Sequence, residues 1–256
     1  MLPDSAMARR YPGINGRLHA LDMLDSKSDA ALRHYAATGE EALDHLSAAL
    51  DAAGSAFNRV QHCLDLPCGY GRVLRWLVTR IDPSAITACD IDARAVRFCS
   101  REFGAQPLLS SRDFRAIRFP VPYDLVWVGS LLTHLEPASC LKLLDALDGA
   151  MVSHGVLVFT THGVDCVDLL ASYGREFSGL EASFQTSLAE HGTAFKSYAG
   201  AADFGITMHD AEALRRTIAV RLPQLRLIRF ARRGWDGHQD VWAYTKEEVA
   251  EPAVSL

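Results

Sequence analysis

The chain has 256 residues, 49% of them hydrophobic and 22% charged, with a formal net charge of −5. That length holds one α/β domain with a full core plus additions, and the fractions are globular values. The acidic balance argues against a nucleic-acid substrate, which usually demands a basic face. The only candidate patch is Arg215, Arg216, Arg221, Arg226, Arg229, Arg232 and Arg233, which reads as solvated faces of a helix and a strand. The six cysteines include no Cys-x-x-Cys pair, so free thiols in a reducing cytosol are expected and a zinc site is not. Residues 1–17 hold no apolar core of signal type, and no run reaches membrane-spanning length. A cytoplasmic protein without membrane insertion is the expectation.

Residues 1–26, with Pro3, Pro12, Gly13, Asn15 and Gly16, read as irregular. Arg9, Arg10 and Tyr11 there either reach a ligand or belong to a loosely held terminus. Residues 27–53 repeat apolar positions at three and four, which predicts helix. Gly39 is expected to separate two helices, with Glu40 and Glu41 in the first turn of the second. An apolar run from Val60 to Leu66 reads as a short buried strand. It breaks into a glycine turn, after which Val73, Leu74, Trp76, Leu77 and Val78 recur at helical spacing. Strand, turn and helix bring backbone N–H groups and a helix N-terminus up to a ligand, and Gly69 and Gly71 leave the main chain open to it.

A phosphate-cradling loop is excluded, because Arg72-Val73 and not Lys-Ser/Thr follow Gly71. Leu74 stands where a dinucleotide fingerprint has its third Gly, so pyrophosphate binding is disfavoured. A second strand, Ile86–Cys89, ends in Asp90, 19 positions after Gly71 and placed to accept ribose hydroxyls. Asp92 is expected to cap a helix from Ala93. Ser111-Arg112-Asp113-Phe114 follows a third strand, and Tyr123–Leu135 reads as the fourth strand with its turn. Glu136-Pro137 starts a helix. Ser153-His154-Gly155 reads as the turn into a fifth strand, Gly155–Gly163. Residues 164–203 show little pattern, and Phe204–Met208 reads as an edge segment. Asp210 caps a helix from Ala211 to Val220; Leu225–Phe230 and Asp240–Tyr244 read as the last strands, joined by a very polar hairpin.

Alternating strands and helices predict a parallel sheet covered on both faces, with right-handed crossovers. Ligands bind beyond the carboxyl ends of such strands, where Asp65, Asp90, Asp113 and Ser130 all fall. Asp65-x-x-x-Gly69-x-Gly71 resembles the first motif of class I S-adenosylmethionine-dependent methyltransferases, and the later segments match that family in order over about residues 60–163. The resemblance implies a Rossmann-like α/β fold: a seven-stranded, mostly parallel sheet with helices on both faces and its last strand antiparallel. It implies S-adenosyl-L-methionine as cofactor. Asp65, Gly69 and Gly71 would meet the methionine end, with Pro67, Cys68 and Arg72 in the same turn. Asp90, with Ile91 beside it, would take the ribose. Asp113 and Phe114 would meet the adenine, and Ser130 and Leu131 the donor near sulfur.

Methyl transfer is an in-line displacement that needs orientation and no metal. A hydroxyl acceptor needs a base near neutral pKa, which suits His. The candidates are His134, His162 and His238. The turn Thr133-His134-Leu135, the strand end Thr161-His162-Gly163 and the terminal His238-Gln239-Asp240 resemble methyltransferases encoded near sugar-transfer enzymes. A saccharide or small natural-product hydroxyl is therefore the first acceptor expected. Residues 1–55 would form an N-terminal extension with lid-like helices, and 56–246 the methyltransferase domain. An insertion at about 164–207 would form the acceptor pocket, and 247–256 a disordered tail. Two rivals are a nicotinamide-dependent oxidoreductase and a non-catalytic cofactor-binding relative acting through a partner.

Overall fold

The structure, a computed structural model, describes residues 11–22 and 28–248. Arg9, Arg10 and the chain from 249 onward lie outside the described residues. The strands are β1 (Cys63–Asp65), β2 (Ile86–Asp90), β3 (Gln106–Leu109), β4 (Tyr123–Val128), β5 (Met151–His162), β6 (Thr193–Ser197), β7 (Gly205–His209), β8 (Leu225–Trp235) and β9 (Gln239–Lys246). The helices are α1 (Asp29–Ala52), α2 (Leu74–Leu77), α3 (Ala93–Phe103), α4 (Pro137–Ala150), α5 (Glu181–His191) and α6 (Ala211–Arg221).

The main sheet runs β3-β2-β1-β4-β5-β9-β8. Its first five strands are parallel, and β9 runs antiparallel between β5 and β8. This is the α/β architecture the sequence predicts. Alternation on the central strands divides the core. Leu125 and Trp127 pack with α1, α2 and α3 on one face, while Val126 and Val128 pack with α4 and α6 on the other. Both faces are covered, so residues 125–128 of β4 read as a continuous apolar run. Asp92 and Asp210 cap α3 and α6 by accepting from Arg94 N and Ala213 N, as their positions predict.

The strands β6 and β7 are additional. They form an antiparallel hairpin, and β7 meets β5 only at His162↔Met208. Pairing of β4 with β5 stops at Val128↔Phe159, and β9 holds the other edge of β5 at His162↔Gln239. The hairpin therefore stands beyond the end of β4, over the carboxyl ends of the strands. Thr207 N donates to Thr133 O and Gly205 N to His134 O, fixing it to the loop after β4. A small core of its own, including Leu170, Phe177, Phe184 and Met208, supports it.

Three local expectations are corrected. Gly39 does not divide two helices; α1 runs unbroken through it. A Cβ at Gly39 would lie 2.5 Å from Arg72 O and 2.5 Å from Trp76 Nε1. The glycine is there because α1 crosses the turn after β1 at contact distance. The helix after that turn, α2, is a single turn of four residues, so its dipole adds little to binding. Ser153-His154-Gly155 lies inside β5 as a bulge, with His154 at φ 64° and the register jumping between Tyr123 and Leu125.

Candidate functional site

The turn after β1 opens a cleft of about 550 Å³ at the carboxyl ends of the strands. Asp65, Pro67, Cys68, Gly69 and Arg72 line it from the turn, Asp90 from β2, and Trp127 and Ser130 from the end of β4. Asp65 is buried, and neither of its carboxylate oxygens has a hydrogen-bond partner. Burial holds its pKa well above the usual carboxylate range; nearby Asp90 pushes the same way and Arg72 opposes. An orphaned carboxylate facing a cleft is a ready partner for an ammonium group. Asp90 also has a raised pKa from burial, opposed by the backbone N–H groups it accepts. Its oxygens accept from Gly69 N at 2.9 Å and Asp92 N at 2.8 Å, so it braces the turn while keeping lone pairs for a ligand.

The two glycines divide their work. Gly69 has φ +48°, and a Cβ there would meet nothing within 4 Å, so its main chain faces the cleft. Gly71 has φ +82°, and its Cβ would lie 2.4 Å from Phe103 Cε2. Gly71 therefore serves the packing of α3 against the turn, which corrects the expectation that both leave room for a ligand. Arg72 lies with its guanidinium 4.9 Å over the Trp235 ring and 4.0 Å from Asp236 Oδ2.

A second recess of about 210 Å³ adjoins the cleft and shares Pro67 and Asp90 with it. Ile91, Phe114, Leu131, Leu135 and Phe204 give it apolar walls suited to a flat ring. Asp113 is not brought to either space. Its carboxylate pairs with Arg115 Nε at 3.0 Å and caps the 3-10 turn Phe114–Ala116, with the side chain half exposed. Ser111 and Arg112 line the recess instead.

The three histidines gather above β5. Each Nδ1 faces a carbonyl: His134 to Gly205 O at 2.9 Å, His162 to Thr207 O at 3.2 Å, His238 to Asp236 O at 2.6 Å. A carbonyl only accepts, so each ring carries its proton on Nδ1 and its lone pair on Nε2. For His162 that lone pair is taken by Tyr173 Oη at 3.2 Å, and the ring is buried. Burial, then the neighbouring imidazoles, lower its pKa to about 3. His162 is thereby withdrawn as a base and becomes a post on which the hairpin and the following segment are hung. His134 ties the β4 loop to β7, with its pKa lowered by burial. His238 stacks on His162 at 5.6 Å and is half-buried.

Sequence reasoning missed Trp127, Trp235 and Tyr70 as cleft walls, and Leu21 and Asp22 at its mouth. The Trp residues at the strand end and in the polar hairpin were the available signal. Among the described residues no group of His, Cys, Asp or Glu has metal-holding geometry. None of the described helices is long and apolar enough to cross a membrane.

Residues 63–155 match the family model described as a methyltransferase domain. No curated protein matches the chain. Among solved structures, an S-adenosylmethionine-dependent methyltransferase from Clostridium acetobutylicum is 12% identical at TM-score 0.55, covering 84% of this chain and 92% of its own. An amino pentose methyltransferase from Micromonospora echinaspora is 15% identical at TM-score 0.54, covering 89% and 100%. The magnesium protoporphyrin IX methyltransferase of Synechocystis is 12% identical at TM-score 0.53, covering 87% and 90%. At such identities the likeness shows a shared fold. The domain match favours methyl transfer over the nicotinamide-dependent alternative. Residues 63–155 of the chain carry a methyltransferase domain.

Proposed function

We propose that this chain is a cytoplasmic enzyme that methylates a hydroxyl of a small molecule, a saccharide or natural product. The observation that carries this reading is His238. Its Nδ1 is held by Asp236 O, so Nε2 is a base with a fixed direction on the hairpin that also supplies Trp235 to the cleft wall. Bound S-adenosyl-L-methionine supplies a methyl group already activated on a sulfonium. The chain's own residues bind and aim. Asp65 meets the ammonium, Asp90 the ribose, and the recess with Ile91, Phe114 and Leu131 the adenine. His238 takes the proton from the acceptor hydroxyl. General-base assistance of this kind contributes about 10²–10⁴-fold. The shared fold of the amino pentose methyltransferase supports a sugar-sized acceptor.

A second reading, methylation of an amino sugar, is favoured by the recess behind the hairpin, where Glu40, Glu41, Asp44 and Asp236 would attract an ammonium group. The test is methyl transfer from labelled S-adenosyl-L-methionine to matched panels of neutral and amino glycosides. Label on neutral glycosides, lost in His238→Gln, is the expected result. Label on amines alone would move the assignment to the second reading.

A further inference from the structure

Ser130 sits at the end of β4 with φ 56°, in the left-handed region. A non-glycine residue is strained there, so something must hold it. A closed ring of hydrogen bonds does. Ser130 N donates to Thr160 Oγ1 at 2.8 Å. Thr160 Oγ1 donates to Gln239 Oε1 at 2.6 Å. Gln239 Nε2 donates to Ser130 Oγ at 3.1 Å. Thr160 and Gln239 are buried. They are diagonal neighbours across β5 and β9, since Thr160 pairs with Val241 and His162 with Gln239.

The ring has a direction. Thr160 accepts from a backbone N–H and passes its own proton to Oε1, so the amide must turn Nε2 toward Ser130. Ser130 Oγ then accepts within the ring. Its own proton is the one the ring leaves unused, and Ser130 lines the cleft. Two groups of opposite demand face that space. Asp65, paired across β1 and β4 with Trp127, offers negative charge; Arg72 offers positive charge.

We infer that Gln239 is a positioning residue that makes Ser130 a fixed hydrogen-bond donor to the carboxylate at the amino-acid end of the cofactor, beside Arg72. The inference rests on the cofactor assignment above. Gln239→Glu reverses the ring with almost no change of shape. The carboxylate that this substitution introduces can only accept when ionised, so it draws the Ser130 proton out of the cleft. When protonated, it donates to Ser130 Oγ as the amide did.

The test uses two probes, S-adenosylhomocysteine and 5′-methylthioadenosine, which keeps the adenosine and sulfur but lacks the amino-acid end. Calorimetric titrations are run against wild type, Gln239→Glu, Ser130→Ala and the double variant, each checked for folding by circular dichroism. At alkaline pH, Gln239→Glu should weaken S-adenosylhomocysteine by about tenfold or more relative to wild type, and lowering the pH should restore it. Binding of 5′-methylthioadenosine should not change. Ser130→Ala should lose as much, and the double variant no more than Ser130→Ala alone. Equal losses for both probes, or a folded Gln239→Glu that binds as wild type at every pH, would overturn the inference. Wild type that binds neither probe would remove the cofactor assignment, and this inference with it.

Discussion

Asp65 is a carboxylate that the fold itself does not satisfy. Both oxygens are buried without a partner, an arrangement that destabilises the free protein. The sign follows from the raised pKa: an acid titrating higher in the folded state favours folding below its unfolded pKa, and that advantage is lost as pH rises through the folded value. Asp65→Asn should therefore raise the Tm of the ligand-free protein, by about 2–4 °C for each kcal/mol recovered. The gain should grow with pH, as calorimetry at several pH values would read. The histidines separate in the same way. His238→Gln should lower kcat by about 10²–10⁴-fold with little change in Tm, whereas His162→Gln should lower Tm first, because it removes the acceptor of Tyr173 Oη and the donor to Thr207 O. At this scale the spacing singled out Asp65, Gly69 and Asp90, which all line the cleft. It misplaced Asp113, because a carboxylate after a strand looks the same whether it faces a ligand or caps a 3-10 turn with Arg115 beside it. Gln239 was hidden because its partners, Ser130 and Thr160, lie 109 and 79 positions away.

Among the elements, α1 and the cofactor turn depend on each other at Gly39. A methyl group there meets the Arg72 carbonyl and the Trp76 indole. Gly39→Ala should cost about 1–3 kcal/mol by overpacking, seen as a lower urea midpoint, despite the better helix propensity of Ala. Gly71→Ala should be worse than Gly69→Ala for stability, since only the former strikes the Phe103 ring. Gly69→Ala should instead show its larger effect on cofactor affinity. The caps at Asp92 and Asp210 were legible because capping is local in sequence. Gly39 was misread for the same reason: a glycine in a helical pattern signals a break unless the neighbour that requires it is known. The hairpin of β6 and β7 was legible only as an edge segment, because its partners are the Thr133–Leu135 loop and the end of β5.

Across the whole molecule, the parallel sheet and its antiparallel last strand followed from the alternation of elements and the family resemblance. The Arg-rich stretch likewise behaves as the sequence suggests. Arg215 pairs with Glu212, Arg221 with Asp145, Arg226 with Glu247 and Arg232 with Asp165, so its charge is dispersed along a helix and a strand. What the alternation did not reveal is how the chain beyond β5 closes the site: the hairpin stands over the end of β4, Trp235 lines the cleft, and Gln239 holds Ser130 from behind it. These pieces converge on one claim, that the cleft after β1 holds the cofactor by pairing its ammonium with Asp65. The most direct measurement is calorimetric titration of S-adenosyl-L-methionine into wild type and Asp65→Asn. Saturable binding by wild type, weakened at least about tenfold (~1.4 kcal/mol) in a variant that is more thermostable without ligand, is the predicted result. Equal affinity in the two proteins, or no binding by folded wild type, would contradict it.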